Sequence, residues 1–173
     1  MNVLAEFKKV TSFIFDVDGV LTDSTVLVLE NGLQARRMNI KDGLGLQMAL
    51  KNGFRVLVIS GSYSEPVVAR LKKLGLQDVH MSVTDKKEFV ADYITKNDLH
   101  WEEILYMADD LPDVALMKTV GLPCCPADAV PDILELSKYI SPVNGGYGCV
   151  RDVIEKVLKV QDKWIFHNDV VSK

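Results

Sequence analysis

Apolar runs with strand character alternate with helix-like stretches along most of this 173-residue chain, and that rhythm restricts the fold more than any other feature. Strands are expected at 12–15, 55–59, 78–81, 104–107 and 121–125, the second of them the buried run Arg55 to Ile59. Helical patterns cover 43–52, 65–74, 86–96, 113–119, 130–137 and 150–160, with Leu44, Met48 and Leu50 read as the inward face of the first. Gly75 stands where a helix-ending glycine belongs. Asp85 followed by Glu88 reads as the capped start of the next helix. Alternation of this kind predicts an α/β fold: a three-layer, Rossmann-like parallel sheet with helices on both faces. At this length a single domain, 1–173, with one sizeable core is the default. In such folds ligands sit beyond the carboxyl ends of the strands, so the polar residues there are the ones to inspect.

One segment breaks the rhythm. Asn31-Gly32 lies between two strand-like runs, 26–30 and 33–38, a strong hairpin signal that would place both central residues at positive φ. The first arm, Val26, Leu27, Val28 and Leu29, is apolar on both faces. A lone hairpin is marginal in water, and an apolar one exposes a sticky patch. The hairpin, at about 24–38, is therefore expected to protrude and pack against another subunit; the alternative is that it folds back on its own domain.

Each of the main strand ends carries polar chemistry. The first apolar run stops on Asp16 and Asp18, followed by Gly19 and, slightly later, Asp23. Buried carboxylates so close together repel one another and lose hydration, and a divalent cation such as Mg²⁺ relieves that cost while bridging to a phosphate. Residues i and i+2 of extended backbone point the same way, so both carboxyls can face one ligand. After 55–59 come Ser60 and Gly61, expected at a helix N-terminus whose N–H groups suit phosphate. Lys86 lies in the first turn of a helix, where a cation is disfavoured. After 104–107 come Asp109, Asp110 and Asp113. Taken singly, these are turn residues, helix caps and a surface lysine. Taken together, four clusters at the ligand edge of one sheet point to a metal-dependent phosphate site.

Composition excludes other classes. A net charge of -4 argues against a nucleic-acid binder relying on bulk charge. Cys124 and Cys125 are adjacent and Cys149 stands alone, which gives neither a disulfide framework nor a metal-ligand spacing and fits a reducing, cytoplasmic setting. No charged segment followed by an apolar stretch opens the chain, and no apolar run approaches the ~18 residues of a membrane span.

Asp16-Val17-Asp18-Gly19-Val20-Leu21-Thr22, then Ser60, Lys86 and Asp109-Asp110, resemble in order the four motifs of the haloacid dehalogenase superfamily of phosphohydrolases. A narrower resemblance spans nearly the whole chain. The hairpin, Lys41-Asp42-Gly43-Leu44-Gly45, Ser82-Val83-Thr84-Asp85-Lys86, Asp109-Asp110-Leu111-Pro112-Asp113 and Gly145-Gly146-Tyr147-Gly148-Cys149-Val150-Arg151 are similar to the 3-deoxy-D-manno-octulosonate 8-phosphate phosphatases, a capless branch of that superfamily. The resemblance implies no cap domain, a sugar-acid phosphate as substrate, a role in lipopolysaccharide biosynthesis and a homotetramer. In that tetramer the hairpin of one subunit and the C-terminal tail of another help close each active site. It further implies that Asp16 is the nucleophile, that Asp18 is the acid and base, and that Ser60, Gly61 and Lys86 bind the phosphate. Mg²⁺ would be held by Asp16, Asp109 and the backbone carbonyl of Asp18. Asp110 and Asp113 are supporting candidates. Arg37, Lys41, Arg70, Arg151 and the tail from 161 to 173 are candidates for sugar selection.

Two positions depart from the family pattern: Ala108 replaces the usual glycine before the acidic pair, and Ser62 stands where octulosonate phosphatases often carry Arg or Lys and the nonulosonate enzymes carry an acid. A phosphatase for a nonulosonate 9-phosphate is thus the neighbouring reading. A non-catalytic binding member would lack a catalytic carboxylate or Lys86, and all are present. A phosphate-accepting receiver domain would carry its reactive Asp after a later strand.

Overall fold

A computed structural model describes residues 2–165. In chain order its elements are α1 (Val3–Lys9), β1 (Ser12–Phe15), β2 (Leu27–Val28), β3 (Gln34–Ala35), α2 (Ile40–Lys51), β4 (Arg55–Ile59), α3 (Glu65–Lys73), β5 (Asp78–His80), α4 (Lys86–Asn97), β6 (Ile104–Met107), α5 (Val114–Met117), β7 (Leu122–Cys125), α6 (Pro131–Leu136), β8 (Tyr139–Ile140) and α7 (Cys149–Val160). The central sheet runs β5-β4-β1-β6-β7-β8 with every neighbouring pair parallel. The chain winds outward from β1 in both directions, so β1 lies inside the sheet with its carboxyl end between those of β4 and β6.

Alternation along the strands builds two cores. Phe13 and Phe15 pack with Val56, Val58, Leu105 and Met107 beneath α1, α2, α3 and α7. Ile14 packs with Leu57, Ile59 and Tyr106 beneath α4, α5 and α6. The three-layer parallel architecture expected from the sequence is therefore the one observed. Between β1 and α2 the described residues hold a helical turn at Val17–Leu21 and the hairpin, and no cap domain intervenes. Among the same residues no helix is long and apolar enough to cross a membrane.

Several details differ from the sequence reading. Helix α2 begins at Ile40 rather than 43, because the side chain of Asn39 accepts the N–H of Lys41 and caps it a turn earlier. Its buried apolar face is Leu46, Met48 and Ala49, while Leu44 and Leu50 are half-buried. The stretch expected as a helix over 113–119 is a 3-10 turn at Leu111–Asp113, with Pro112 inside it, followed by the short α5. Helix α1 and strand β8 are additions. The Asn-Gly turn is longer than expected. Leu29 N–H donates to Leu33 O at 2.8 Å and Gly32 N–H to Leu29 O at 2.9 Å, which makes a three-residue loop in which Gly32 (φ 81°) has positive φ and Asn31 does not. A type I turn ending in a glycine bulge satisfies the same hairpin with one left-handed residue instead of two.

Candidate active site

β1 delivers Asp16 into a cavity of about 480 Å³ at the carboxyl edge of the sheet, lined by Asp16, Asp18, Ser60, Lys86, Asp109 and Asp113 among others. Each expected cluster is therefore at one site. Asp16 N–H donates to Met107 O at 3.1 Å, continuing the ladder one step past β1 and setting Asp16 beside the loop that carries Asp109. Ser60 O accepts the N–H of Val83 at 2.9 Å and Ser62 O that of Ser82 at 3.1 Å, which stitches the loop after β4 to the loop leading into α4 and so to Lys86. Gly146 N–H donates to Val20 O at 2.9 Å, so the glycine-rich segment before α7 supports the loop that follows Asp16 from below.

Asp16 is nearly buried. Its Oδ1 accepts the N–H of Val17 at 2.7 Å and lies 2.9 Å from Lys86 Nζ, while Oδ2 receives no hydrogen bond from any described residue. Burial pushes Asp16 up to about 7; the Lys86 ammonium opposes the push and the Asp113 carboxylate adds to it. Lys86 is buried too, and its Nζ also lies 2.7 Å from Asp113 Oδ1, which in turn accepts the Tyr106 hydroxyl at 2.6 Å. Desolvation works against the charge of Lys86, but Asp16 and Asp113 outweigh it and raise its pKa. The cation in the first turn of α4, disfavoured by the helix dipole, is thus held by two carboxylates.

Asp18 follows at the mouth. Ser62 Oγ donates to its Oδ2 at 2.7 Å, and Arg36, just beyond β3 of the hairpin, places Nε 2.6 Å from Oδ1 and Nη2 3.4 Å from Oδ2. Partial burial disfavours the ionised form of Asp18, but the hydrogen bonds from Arg36 and Ser62 and the Arg36 charge hold its carboxyl below the ordinary carboxylate range. Asp109 stands across the cavity. Burial pushes it up to about 6, against a hydrogen bond from Ser24, with Asp110 and Asp113 adding repulsion. Asp110 is exposed and caps the turn by accepting the N–H of Leu111 at 2.8 Å.

Ser60 is where the sequence puts it, but not in the setting expected. Helix α3 starts at Glu65 behind Ser64, so Ser60 and Gly61 lie on the loop between β4 and α3 and not at the helix N-terminus. The hydroxyl of Ser60 instead lies 3.0 Å from Ser62 Oγ and accepts the N–H of Ser62 at 3.1 Å. Asp23 is a hairpin-base residue, accepting Thr25 and paired with Arg37 at 2.5 Å.

Arg37, Lys41, Arg70 and Arg151 do not line this cavity. Arg37 is exposed on Asp23 and Tyr147, Lys41 is exposed at the start of α2, Arg70 lines a groove between α3 and the hairpin, and Arg151 pairs with Glu155 beneath Trp164. Of the tail, residues 166–173 lie outside the described residues. Arg36 is the residue that the sequence reading missed. Its signal was the two-residue period of the hairpin arm: Met38 pairs with Thr22 and turns inward, so 36 shares its face while 37 points out.

The donor set fits a hard cation. Gly19 has φ 85°, and a Cβ there would lie 1.8 Å from Asp109 Oδ2, so the absence of a side chain is what lets that carboxylate reach the loop carrying Asp16 and Asp18. Among the described residues no three His, Cys, Asp or Glu side chains form a closed metal cage. Two carboxylates with a backbone carbonyl suit Mg²⁺, which keeps several waters and seldom takes an all-protein cage.

A parallel sheet that brings Asp-x-Asp-Gly, Ser, Lys and an acidic pair to adjacent strand ends defines the haloacid dehalogenase superfamily, the class of this fold and site. No family model matches the chain. The curated 3-deoxy-D-manno-octulosonate 8-phosphate phosphatase KdsC of Escherichia coli K12 is 32% identical over 162 residues, covering 94% of this chain and 86% of the relative. The crystal structure of the Yersinia pestis enzyme of that name superposes with a TM-score of 0.90 at 29% identity over 93% of this chain and 87% of the other. That of the Moraxella catarrhalis enzyme, in complex with magnesium ion, phosphate ion and a KDO molecule, also has a TM-score of 0.90 at 29% identity, over 94% and 93%. The chain belongs to the 3-deoxy-D-manno-octulosonate 8-phosphate phosphatase family of phosphoric monoester hydrolases.

Proposed function

We propose that this protein is a Mg²⁺-dependent phosphatase that releases inorganic phosphate from 3-deoxy-D-manno-octulosonate 8-phosphate through an aspartyl-phosphate on Asp16. The observation that carries the reading is the setting of Asp16: one carboxylate oxygen is pinned by Val17 N–H and Lys86, and the other has no donor of its own. The pinned oxygen fixes the side chain, and Oδ2 is the atom that attacks phosphorus in line. The bond from phosphorus to the sugar oxygen breaks as Asp18 gives that oxygen a proton, which Asp18 takes up from solvent once substrate draws it away from the Arg36 guanidinium that keeps it ionised in the free enzyme. Asp18 then takes a proton from the water that attacks the acyl phosphate, which frees phosphate and restores Asp16. Ser60, the Gly61 backbone and Lys86 bind the phosphoryl oxygens. Asp16, Asp109 and the backbone carbonyl of Asp18 would hold Mg²⁺, which supplies neutralisation of phosphoryl charge when bound.

We further infer one catalytic domain over 1–173 working as a homotetramer in the cytoplasm. Its support is the exposed apolar hairpin, where Leu27 and Val28 are each 65% exposed and Leu33 62% in the single chain. Gel filtration or scattering that finds only monomer at micromolar concentration removes the tetramer. The nonulosonate 9-phosphate is the competing substrate, kept open by Ser62. A panel of sugar-acid phosphates ranked by kcat/KM with Mg²⁺ decides between them. In the same assay Asp16→Asn abolishes phosphate release while leaving the fold intact; more than a few per cent of residual turnover rules out Asp16 as the nucleophile.

A further inference from the structure

An ester whose phosphorus lies at Asp16 and whose bridging oxygen lies at Asp18 must send its carbon skeleton out past Asp18. The groups that touch Asp18 from other parts of the chain are Arg36 and Ser62. Ser62 is small and neutral, so the charge on this wall is the guanidinium of Arg36. The Arg36 side chain is only 6% exposed, although it springs from a hairpin that is otherwise largely in solvent. It grips the Asp18 carboxylate through Nε at 2.6 Å from Oδ1, with Nη2 at 3.4 Å from both Oδ2 and Ser62 Oγ, so one edge of a guanidinium able to read a carboxylate with two donors already faces an acid.

Two further observations give the guanidinium an alternative occupant. Arg36 forms part of the lining of a groove of about 860 Å³ that runs between the hairpin and α3, bordered by Leu29, Leu33, Tyr63, Pro66 and Arg70. Arg36 thus stands on the partition between the phosphate cavity and a space large enough for a sugar. When Asp18 turns to the ester oxygen, a nearly buried guanidinium loses its anion, which is costly unless another replaces it. The rest of the cavity cannot offer a cation in its place, because Lys86 is already shared by Asp16 and Asp113, and Asp109 and Asp110 line the opposite side.

We propose that Arg36 is the specificity residue that selects substrates bearing a carboxylate, passing its guanidinium from Asp18 to the acid group of the sugar. This inference rests on the sugar-acid phosphatase reading above. It identifies which cation of this chain reads the acid.

The test compares two substrates with Mg²⁺: 3-deoxy-D-manno-octulosonate 8-phosphate and a pentose 5-phosphate, which has no carboxylate. Arg36→Gln lowers kcat/KM on the acid roughly 100-fold, mainly through KM, and on the pentose ester less than tenfold. Arg36→Lys, which keeps the charge but not the fork, recovers part of the ratio. KM does not depend on the folded fraction, so poor folding of one variant does not imitate the result. Where the wild type prefers the acid, equal losses on the two esters in Arg36→Gln, which leave that preference unchanged, overturn the inference alone. A wild type that hydrolyses the pentose ester and shows no preference for the acid overturns the substrate reading, and this inference with it.

Discussion

The carboxylate of Asp109 occupies the space that a side chain at residue 19 would need: a Cβ there would lie 1.8 Å from Oδ2 and 2.2 Å from Cγ. The glycine of the first motif therefore does more than turn the chain. It lets an acid from the strand end at Met107 meet acids from the strand end at Phe15.

Gly19→Ala follows from that contact. Alanine at φ 85° is strained by about 1–2 kcal/mol, and its methyl group displaces Asp109. The variant is expected to fold, to bind Mg²⁺ at least tenfold more weakly by calorimetric titration, and to lose kcat in proportion. Unchanged Mg²⁺ affinity would show that Asp109 does not hold the ion.

Asp113 acts through Lys86. Its Oδ1 takes both the Lys86 ammonium at 2.7 Å and the Tyr106 hydroxyl at 2.6 Å, in a fully buried position. Asp113→Asn keeps the shape and removes one of the two anions that hold the lysine. Because Asp16 still pairs with Lys86, the loss is expected to be partial: about 1–3 kcal/mol of stability, and kcat reduced roughly 10- to 100-fold. Denaturant unfolding at fixed protein concentration and steady-state kinetics check both. Turnover as low as that of Asp16→Asn would mean that Asp113 takes part in the chemistry directly.

The sheet and the acidic strand ends were legible in the sequence because each is a local signal. Ser12–Phe15 is apolar from Phe13 onward and stops on a charge, and Asp85 caps α4 through the N–H of Glu88 at 2.9 Å. What was not legible depends on where distant segments meet. Arg36 reads as one of two adjacent hairpin arginines until the hairpin folds back and buries one of them. Ser60 looked like a helix-start residue because nothing in Ser60 to Ser64 announces that four residues of loop come first. Helix α1, with an exposed Leu4 and a buried Phe7, gains its apolar face only by packing beneath α7 and β8, where Phe7 meets the ring of Tyr139 at 5.2 Å.

Protons and Mg²⁺ should compete. Burial raises Asp16 to about 7 and Asp109 to about 6, above the ordinary carboxylate value of about 4. Below those values the ion has to displace protons, so apparent Mg²⁺ affinity falls as pH drops from 8 to 5.5, by up to about tenfold per unit where one proton is released. The sign for the metal-free protein is the reverse: with both pKa values raised on folding, their contribution to stability is complete below about pH 4 and is lost as pH climbs through 6 and 7. Mg²⁺ should therefore raise Tm more at pH 7.5 than at pH 5.5. An equal rise at both would show that these carboxylates do not gate the ion.

Asp42 offers a pH dependence away from the phosphate cavity. It is 1% exposed in the first turn of α2, yet its Oδ1 accepts the N–H of Arg151 at 2.7 Å in the first turn of α7. Helix α7 begins behind Gly148, which has no side chain to cap it, so Asp42 serves as the cap from a neighbouring helix. Its Oδ2 is buried with no hydrogen-bond partner. Burial pushes the carboxyl up to about 6, against the hydrogen bond and charge of Arg151. Ionised Asp42 is thus disfavoured in the fold: its contribution is intact below about pH 4 and is lost as pH rises through 6, a change on the order of 2–3 kcal/mol. Asp42→Asn keeps an oxygen for Arg151 and cannot ionise. Compared with wild type at fixed protein concentration, its relative stability is expected to grow by roughly 2 kcal/mol as pH rises from 4.5 to 7.5. A difference in unfolding free energy that stays constant across that range would mean that Asp42 is not held up by its burial. A variant whose relative stability falls over that range would mean that the charge itself, facing the amino end of α7, is what anchors the two helices.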